Sequence, residues 1–209
     1  MSILLSTEKY FQLTLYFSSR IINLEKIERG VSMGNTKIRM QILAALFAAA
    51  CAVLAQLIIP IQPVPISLAS LGAMLAGGFL GKRYGFLALL IYLLLGAAGV
   101  PVFSMFRGGI HMFAGPTGGF LLGFAPMAFA VGWLCEKTEY KFIKLFGAIF
   151  LGNLVCYVFG TAWFVYLTHT DMWTALTLCV FPFIPGDLLK IVLSAFLVSR
   201  YRNRLLRIR

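Results

Sequence analysis

Charged residues are scarce in this chain of 209 residues, because Asp, Glu, Lys and Arg together make up only 12% of it. Soluble domains carry about a quarter of their residues as charges. Hydrophobic residues reach 60%, and the mean hydropathy is +0.90. This balance excludes an ordinary soluble domain and indicates an integral membrane protein.

Acidic residues are scarcer still, since 7 Asp and Glu stand against 18 Lys and Arg, for a net charge of +11. A basic balance of this size raises the question of nucleic-acid binding. The basic residues are not clustered, however, and lie in short gaps between apolar stretches, as expected of cytoplasmic loops. We therefore expect no nucleic-acid partner.

Cysteine pairs, metal-ligand clusters and catalytic motifs are lacking. The 4 cysteines stand singly in or beside apolar runs, which is typical of small buried apolar side chains. His111 and His169 lie in different loops, with no Cys or acid spaced to complete a metal site. Gly77–Arg83 resembles a phosphate-binding loop but has different glycine spacing and Arg in place of Ser or Thr. We expect no metal, no cofactor, no ATP hydrolysis and no enzyme activity.

Apolar runs long enough to cross a bilayer recur along the chain. They predict an all-α membrane protein with six transmembrane helices: Ile38–Ile59, Ile66–Leu80, Tyr84–Gly99, Thr117–Glu136, Ile143–Tyr166 and Ile184–Ser199. The second and third spans are short and are separated only by Gly81-Lys82-Arg83. A shorter apolar piece, Trp173–Phe183, is expected to pack at the outer surface before the last span.

The placement of Lys and Arg predicts the orientation. If six spans alternate, the basic residues near the first span, between the second and third, after the fourth and in the carboxyl-terminal tail all fall on one side. The opposite side receives Arg107, with Lys190 near the outer end of the last span. Both termini are therefore predicted to be cytoplasmic.

Residues 1–32 do not fit this plan, because they are rich in charge and the apolar stretch Phe11–Phe17 is too short to span. They lack a small-residue cleavage site for a signal peptide. One interpretation is an interfacial amphipathic helix; the other is a translation start assigned too early, with Met33 as the first residue. Residues 33–209 are predicted to form a single membrane domain, since no internal repeat appears.

Two charges interrupt the last apolar run, Asp187 and Lys190. A charge placed mid-membrane costs roughly 2.5 to 3.5 kcal/mol, so such residues usually face a cavity or another charge and mark a substrate path. One helical turn separates the two, which puts a carboxylate and an ammonium on the same face. A purely structural salt bridge, with Asp187 as a helix N-cap, is the alternative.

The long connection from Gly99 to Gly119 is rich in Gly and Pro, which permits tight turns and close approach of backbone to a ligand. Arg107 is its sole cation at neutral pH. Thr117 is placed to cap the fourth helix, whose free N–H groups favour an anion. A flexible outer loop is the alternative, although a structureless loop of this length is more often functional.

Small residues recur every four positions on the first span, at Ala44, Ala48 and Ala52. Such a stripe lets another helix approach closely. It fits either packing within the membrane domain or docking against a separate membrane protein.

Three motifs occur in order at suitable spacing: Gly96-x-x-Gly99-x-Pro101-Val-Phe103, Gly115-Pro-Thr-Gly-Gly119-Phe-Leu-Leu-Gly123-Phe124 and Pro182-Phe-x-Pro185-Gly-Asp187-x-x-Lys190. Together they resemble the BioY family, biotin-specific S components of energy-coupling factor (ECF) transporters, over about Lys37 to Ser199. The resemblance implies a biotin-capturing subunit in a bacterial plasma membrane. It also implies a transmembrane T component and two ATPase subunits as partners, with Ala44, Ala48 and Ala52 as the contact of the T component.

Biotin chemistry suits the same residues. The ureido ring offers two N–H donors and a carbonyl acceptor, which match Asp187 and Lys190. Aromatic side chains are expected to enclose its apolar part: Phe103, Tyr92, Trp163 and Phe181. Arg107 or the helix end at Thr117 is expected to bind its carboxylate. The alternatives are an S component for another vitamin and a biotin transporter that works alone.

Overall fold

The computed structural model describes residues 36–59 and 66–207. The chain divides into two compact units, Met1–Gln41 and Ile42–Arg209. Of the first unit the helical stretch 36–41 is described, so both interpretations of residues 1–32 fall outside the described residues. The candidate site lies entirely within the second unit.

Helices account for most of the described residues. They are α1 Thr36–Gln56, α2 Ala69–Ala97, α3 His111–Ala114, α4 Gly118–Glu136, α5 Phe142–Thr168, α6 Met172–Cys179 and α7 Ile184–Arg207. Two single 3-10 turns, Ser104–Phe106 and Phe181–Phe183, lie in the connections. Within the described ranges, 5 helical stretches are long and apolar enough to cross a membrane: α1, α2, α4, α5 and the stretch Met172–Asn203.

A short antiparallel ribbon separates α1 from α2. Strand β1 Ile58–Ile59 pairs with β2 Ile66–Ser67, and Ile58 lies opposite Ser67. The predicted end of the first span at Ile59 and start of the second at Ile66 were therefore wrong. The three prolines between residues 60 and 65 explain the difference, because proline and the residue before it both disfavour helix.

The long helix α2 is broken at Gly81, where φ is 77° and ψ is −177°. Only glycine adopts this conformation readily. The two arms fold back on each other, because a Cβ atom on Gly85 would lie 2.8 Å from the Cα of Gly77. In a continuous helix the two residues would be about 12 Å apart. The arms overlap the second and third predicted spans.

Charged and aromatic contacts gather at the end of the unit that contains this turn. Glu136, the last residue of α4, accepts the backbone N–H of Lys82 at 3.1 Å and pairs with its ammonium at 3.2 Å. The guanidinium of Arg202 lies 3.8 Å from the ring centre of Tyr140. The turn at Gly81, the α4–α5 connection and the last turns of α7 therefore meet.

Helix α6 begins with a capped turn. Asp171 precedes it, and its carboxylate accepts the backbone N–H of Thr174 at 2.9 Å and the hydroxyl of Thr174 at 2.6 Å. These hydrogen bonds favour the ionised carboxylate and hold the pKa of Asp171 below its usual value. The predicted apolar piece Trp173–Phe183 thus covers all of α6 but its first residue, together with the 3-10 turn before α7.

Candidate functional site

Asp187 and Lys190 form a buried ion pair in the first turns of α7. The Lys190 Nζ lies 2.9 Å from the Asp187 Oδ1, and each residue is 5% exposed. Since α7 begins at Ile184, Asp187 lies inside the first turn and not at the N-cap. The N-cap interpretation was therefore wrong, although a carboxylate in this turn still gains from the helix dipole.

Lys190 is held by the start of α2 as well. Its ammonium donates to the backbone carbonyl of Ser67 at 2.8 Å and to the hydroxyl of Ser70 at 3.0 Å. With the bond to Asp187, all three of its hydrogens are used. The ribbon matters here, because the strand β2 places the carbonyl of Ser67 within reach of α7.

Asp187 is held from the other side by α5. Its Oδ2 accepts the phenol of Tyr157 at 2.6 Å and the side-chain amide of Asn153 at 3.3 Å. Tyr157 and Asn153 are one turn apart, so a single face of α5 supplies both donors. The ion pair therefore joins α2, α5 and α7, and the burial of two charges is compensated by hydrogen bonds at every polar atom of the pair.

Two adjacent cavities open beside this pair. A small one of about 60 Å³ contains Asp187 and Lys190 in its wall, together with aromatic side chains of α4 and the 3-10 turn. A larger one of about 210 Å³ is lined by Tyr92, Phe103, Arg107 and Thr117, among others. The cavities share Ser67, Phe120 and Phe124. They place the ion pair next to a larger chamber with both aromatic and polar walls.

Phe103 forms the inner wall of the larger cavity and is 1% exposed. Its ring makes edge contacts with Tyr92 and Phe113, at centroid distances of 5.5 and 5.7 Å. The ring packs directly against Gly96, since a Cβ atom at Gly96 would overlap the ring. The first sequence motif, in which Gly96 precedes Phe103, thus encodes a packing requirement of the cavity wall.

Arg107 also lines the larger cavity and is exposed. No ion-pair partner for it is found within residues 36–59 and 66–207. Thr117 also lines this cavity and occupies the position before α4, but its side chain makes no capping hydrogen bond. The prediction that Thr117 caps α4 was therefore wrong, because its side chain accepts no hydrogen bond from the N–H groups at the start of that helix.

Trp163 does not join this group. It lines a separate, more open groove with Tyr166 and Phe159, and its ring N–H donates to the carbonyl of Gly115 at 3.0 Å. The structure thus places Trp163 behind the Gly115-Pro-Thr motif, where it holds the loop. Phe181 also lies outside both cavities and contacts Trp173.

The alanine stripe on α1 faces inward. Ala44 is 0% exposed and Ala48 is 2% exposed, while Ala52 is half-buried. The neighbouring residues Ala45 and Ala49 are exposed. The expected docking face was Ala44, Ala48 and Ala52, but the side chains of Ala44 and Ala48 are covered by their own chain, which fits the alternative of packing within the membrane domain.

Sequence reasoning missed Asn153 and Tyr157. Both interrupt a predicted apolar span, and a polar residue within a span usually faces a partner or a cavity, so this signal was available. It also missed Gln56, which contacts the loop at residues 102–106. Within the described part of the chain, no group of three His, Cys, Asp or Glu residues is arranged to hold a metal ion.

Comparison with known proteins identifies the family. The model of the BioY family matches residues 27–207. The chain belongs to the BioY family. It is 42% identical over 161 residues to the biotin transporter BioY2 of Lactococcus lactis subsp. cremoris, covering 77% of this chain and 88% of that protein. It is 39% identical over 165 residues to the biotin transporter BioY of Thermotoga maritima, covering 79% and 96%.

A solved structure with a similar fold is also found. The crystal structure of an S component for biotin from an ECF-type ABC transporter superposes with a TM-score of 0.76 and 30% identity. The match covers 81% of this chain and 93% of that one. This BioY chain is accordingly a multi-pass membrane protein, in agreement with its apolar helices.

Proposed function

We propose that this chain is the biotin-capturing S subunit of an ECF-type importer. The observation that carries the proposal is the buried Asp187–Lys190 pair beside a cavity with aromatic walls. Its relatives are named biotin transporters, and its structural neighbour is an S component for biotin. The pair supplies an acceptor and a donor a few ångströms apart, which is what a ureido group requires.

The ureido ring would bind in the small cavity, beside the ion pair. Its N–H groups would donate to the Asp187 carboxylate, and its carbonyl would accept from the Lys190 ammonium. Tyr157 and Asn153 hold the carboxylate in place from behind. Because Lys190 already has three partners, the ureido carbonyl would replace one of them.

The rest of biotin would lie in the larger cavity. Phe103 and Tyr92 would contact its apolar ring and chain, since both line that cavity. Arg107 would bind the carboxylate at the exposed end, with the N-terminus of α4 beside Thr117 as a second favourable environment. Trp163 would act indirectly, through the loop carbonyl that it holds.

The membrane arrangement would comprise six crossings. The fold-back at Gly81 makes two crossings of α2, and the other four are α1, α4, α5 and α7. An even number of crossings places both termini on the same side, and the excess of Lys and Arg at the Gly81 end makes that side cytoplasmic. The substrate cavity would then open toward the outside.

Transport would require partners, a transmembrane T component and two ATPase subunits, since this chain has no nucleotide-binding loop. We assign the docking face to Ala45 and Ala49 on α1. Their small exposed side chains allow close approach of another helix, and larger apolar residues flank them, including Leu46 at 61% exposure and Val53 at 69%.

Titration calorimetry of the purified protein with biotin, desthiobiotin and unrelated vitamins tests the proposal. Biotin should bind the parent protein tightly, and Asp187→Asn should weaken it, because each hydrogen bond to a charged group contributes about 1.5 to 3 kcal/mol. Melting temperatures recorded in parallel separate lost binding from lost folding. Tight binding of another vitamin in place of biotin would refute the assignment, as would equal affinity in the Asp187→Asn variant.

Uptake by cells addresses the alternative of a transporter that works alone. Cells that produce this chain without any T component or ATPase subunit should bind biotin but not accumulate it. Accumulation in such cells would contradict the proposed partnership while leaving the binding site intact.

A further inference from the structure

Gln56 bridges the end of α1 and the loop that closes the larger cavity. Its side-chain amide donates to the backbone carbonyl of Phe103 at 3.1 Å and, more weakly, to that of Val102 at 3.4 Å. Its side-chain carbonyl accepts the backbone N–H of Phe106 at 2.9 Å. One side chain therefore pairs with backbone donors and acceptors, as a neighbouring strand would, in a loop that lies 46 to 50 residues away in sequence.

The loop needs such a support, because its backbone is strained. Met105 and Phe106 have φ values of 64° and 53°, in the left-handed region that non-glycine residues rarely occupy. Consecutive residues in this region persist only where surrounding contacts determine them. The side chains of Met105 and Phe106 contribute little burial, at 50% and 73% exposure. The hydrogen bond from the Phe106 N–H to Gln56 is a direct restraint on this pair.

The same loop carries wall residues of the cavity. Phe103 and Arg107 flank the strained pair and are joined by the hydrogen bond from the Phe103 N–H to the Arg107 carbonyl, at 2.9 Å. Both side chains line the larger cavity. The loop conformation that Gln56 selects thus sets the distance between an apolar wall and the exposed cation.

We propose that Gln56 is a positioning residue for the substrate: it holds the loop 102–107 in the conformation that presents Phe103 and Arg107 to the ligand. The identity of the ligand as biotin rests on the proposed function above. The role of Gln56 in ordering the loop does not, since it follows from the protein's own hydrogen bonds. Gln56 acts through the loop and lines neither cavity.

Gln56→Met tests this role, because it keeps the length of the side chain and removes its donor and acceptor. Gln41→Met, at an exposed position of the same helix, is the matched control. We expect about a tenfold loss of biotin affinity in Gln56→Met, as one or two hydrogen bonds are lost, and parent-like affinity in Gln41→Met. The loss should appear mainly as faster dissociation, measured by stopped-flow mixing.

Hydrogen–deuterium exchange supplies a readout that a general loss of stability would not produce. In Gln56→Met the peptide containing Phe103 and Phe106 should exchange at least tenfold faster, while peptides from α4 and α5 keep their parent rates. Saturating biotin should slow exchange of the loop peptide again. Unchanged exchange and unchanged affinity in Gln56→Met would overturn the proposal, as would faster exchange spread evenly over the whole chain.

The two proposals fail in different ways. If the parent protein does not bind biotin, the proposed function is wrong, yet the exchange of the loop in the protein without added ligand still tests Gln56. If the parent binds biotin and Gln56→Met behaves like the parent in both measurements, only the role of Gln56 is refuted.

Discussion

The phenol of Tyr157 on α5 lies 2.6 Å from the Oδ2 atom of Asp187 on α7. Asn153 donates to the same oxygen, and Lys190 donates to the other one. The carboxylate is therefore fixed in orientation before any ligand reaches it. Such a preorganised acceptor avoids the cost of ordering a charged side chain on binding.

Tyr157→Phe should weaken biotin by about tenfold, because the variant loses one hydrogen bond to a charged group. The ring and its packing remain. Tyr166→Phe is the control, since Tyr166 is on the same helix and is 72% exposed. Calorimetry of both variants measures their biotin affinities. Tighter binding in Tyr157→Phe would mean that the phenol competes with the ligand for the carboxylate.

Gly96→Ala should weaken biotin binding by roughly tenfold or more, by displacing the ring of Phe103 from the cavity wall. The added methyl group has no room, and overpacking typically costs 1 to 3 kcal/mol. Gly147→Ala provides the control, because a Cβ atom at Gly147 in α5 meets no other atom within 4 Å. That variant should be as stable as the parent or slightly more so. Parent-like binding in Gly96→Ala would show that Phe103 does not shape the site.

Arg107→Ala should weaken biotin more than it weakens a biotin amide, since only the free acid gains from the cation. A charge-assisted bond at an exposed position is expected to contribute about tenfold in affinity at low salt, and less at high salt. Calorimetry with both ligands at two salt concentrations measures this difference. Equal losses for the two ligands would mean that Arg107 shapes the loop without contacting the carboxylate.

Ala49→Trp should abolish biotin uptake and leave biotin binding to the isolated subunit unchanged. An indole on the exposed face of α1 prevents close approach of a partner helix, and co-purification of the T component should fail as well. Val158→Trp, at a 66% exposed apolar position on α5, should affect neither property.

Ala48→Trp provides the contrast to this result. Because Ala48 is 2% exposed, the indole would overpack the interior, and the variant should lose stability and binding together. If Ala49→Trp transports normally while Ala48→Trp folds and fails to transport, the docking face is the one that the sequence first indicated.

The sequence was informative about apolar periodicity and about isolated charges. It predicted most helix boundaries within a few residues, although the last helix runs on to Arg207. It also predicted the pairing of Asp187 with Lys190, because a buried carboxylate one turn from a buried ammonium has few alternatives. It was a less reliable guide to which face of α1 is covered. Both faces carry alanines, at Ala44 and Ala48 on one and at Ala45 and Ala49 on the other. Composition therefore cannot distinguish the two faces, and only packing against other helices does.

Long-range hydrogen bonds were likewise beyond pattern analysis. Gln56 binds a loop nearly fifty residues away, and Lys190 binds the carbonyl of Ser67 across 123 residues. Neither contact leaves a periodic trace in the sequence. For Trp163 the sequence suggested a contact that the structure does not have. This aromatic residue was predicted to line the cavity because of its chemistry, but its ring N–H donates to the loop carbonyl of Gly115.

The full set of partners around Lys190 has a consequence for selectivity. A ligand that offers a carbonyl there exchanges one good bond for another, so little free energy is gained from the exchange itself. A ligand without the matching carbonyl and N–H groups, however, would disrupt the network and leave a buried charge poorly paired. The ion pair would therefore act mainly to exclude ligands that lack the matching polar groups. Enclosure of apolar surface by Phe103 and its neighbours would determine the dissociation rate of a ligand that does bind.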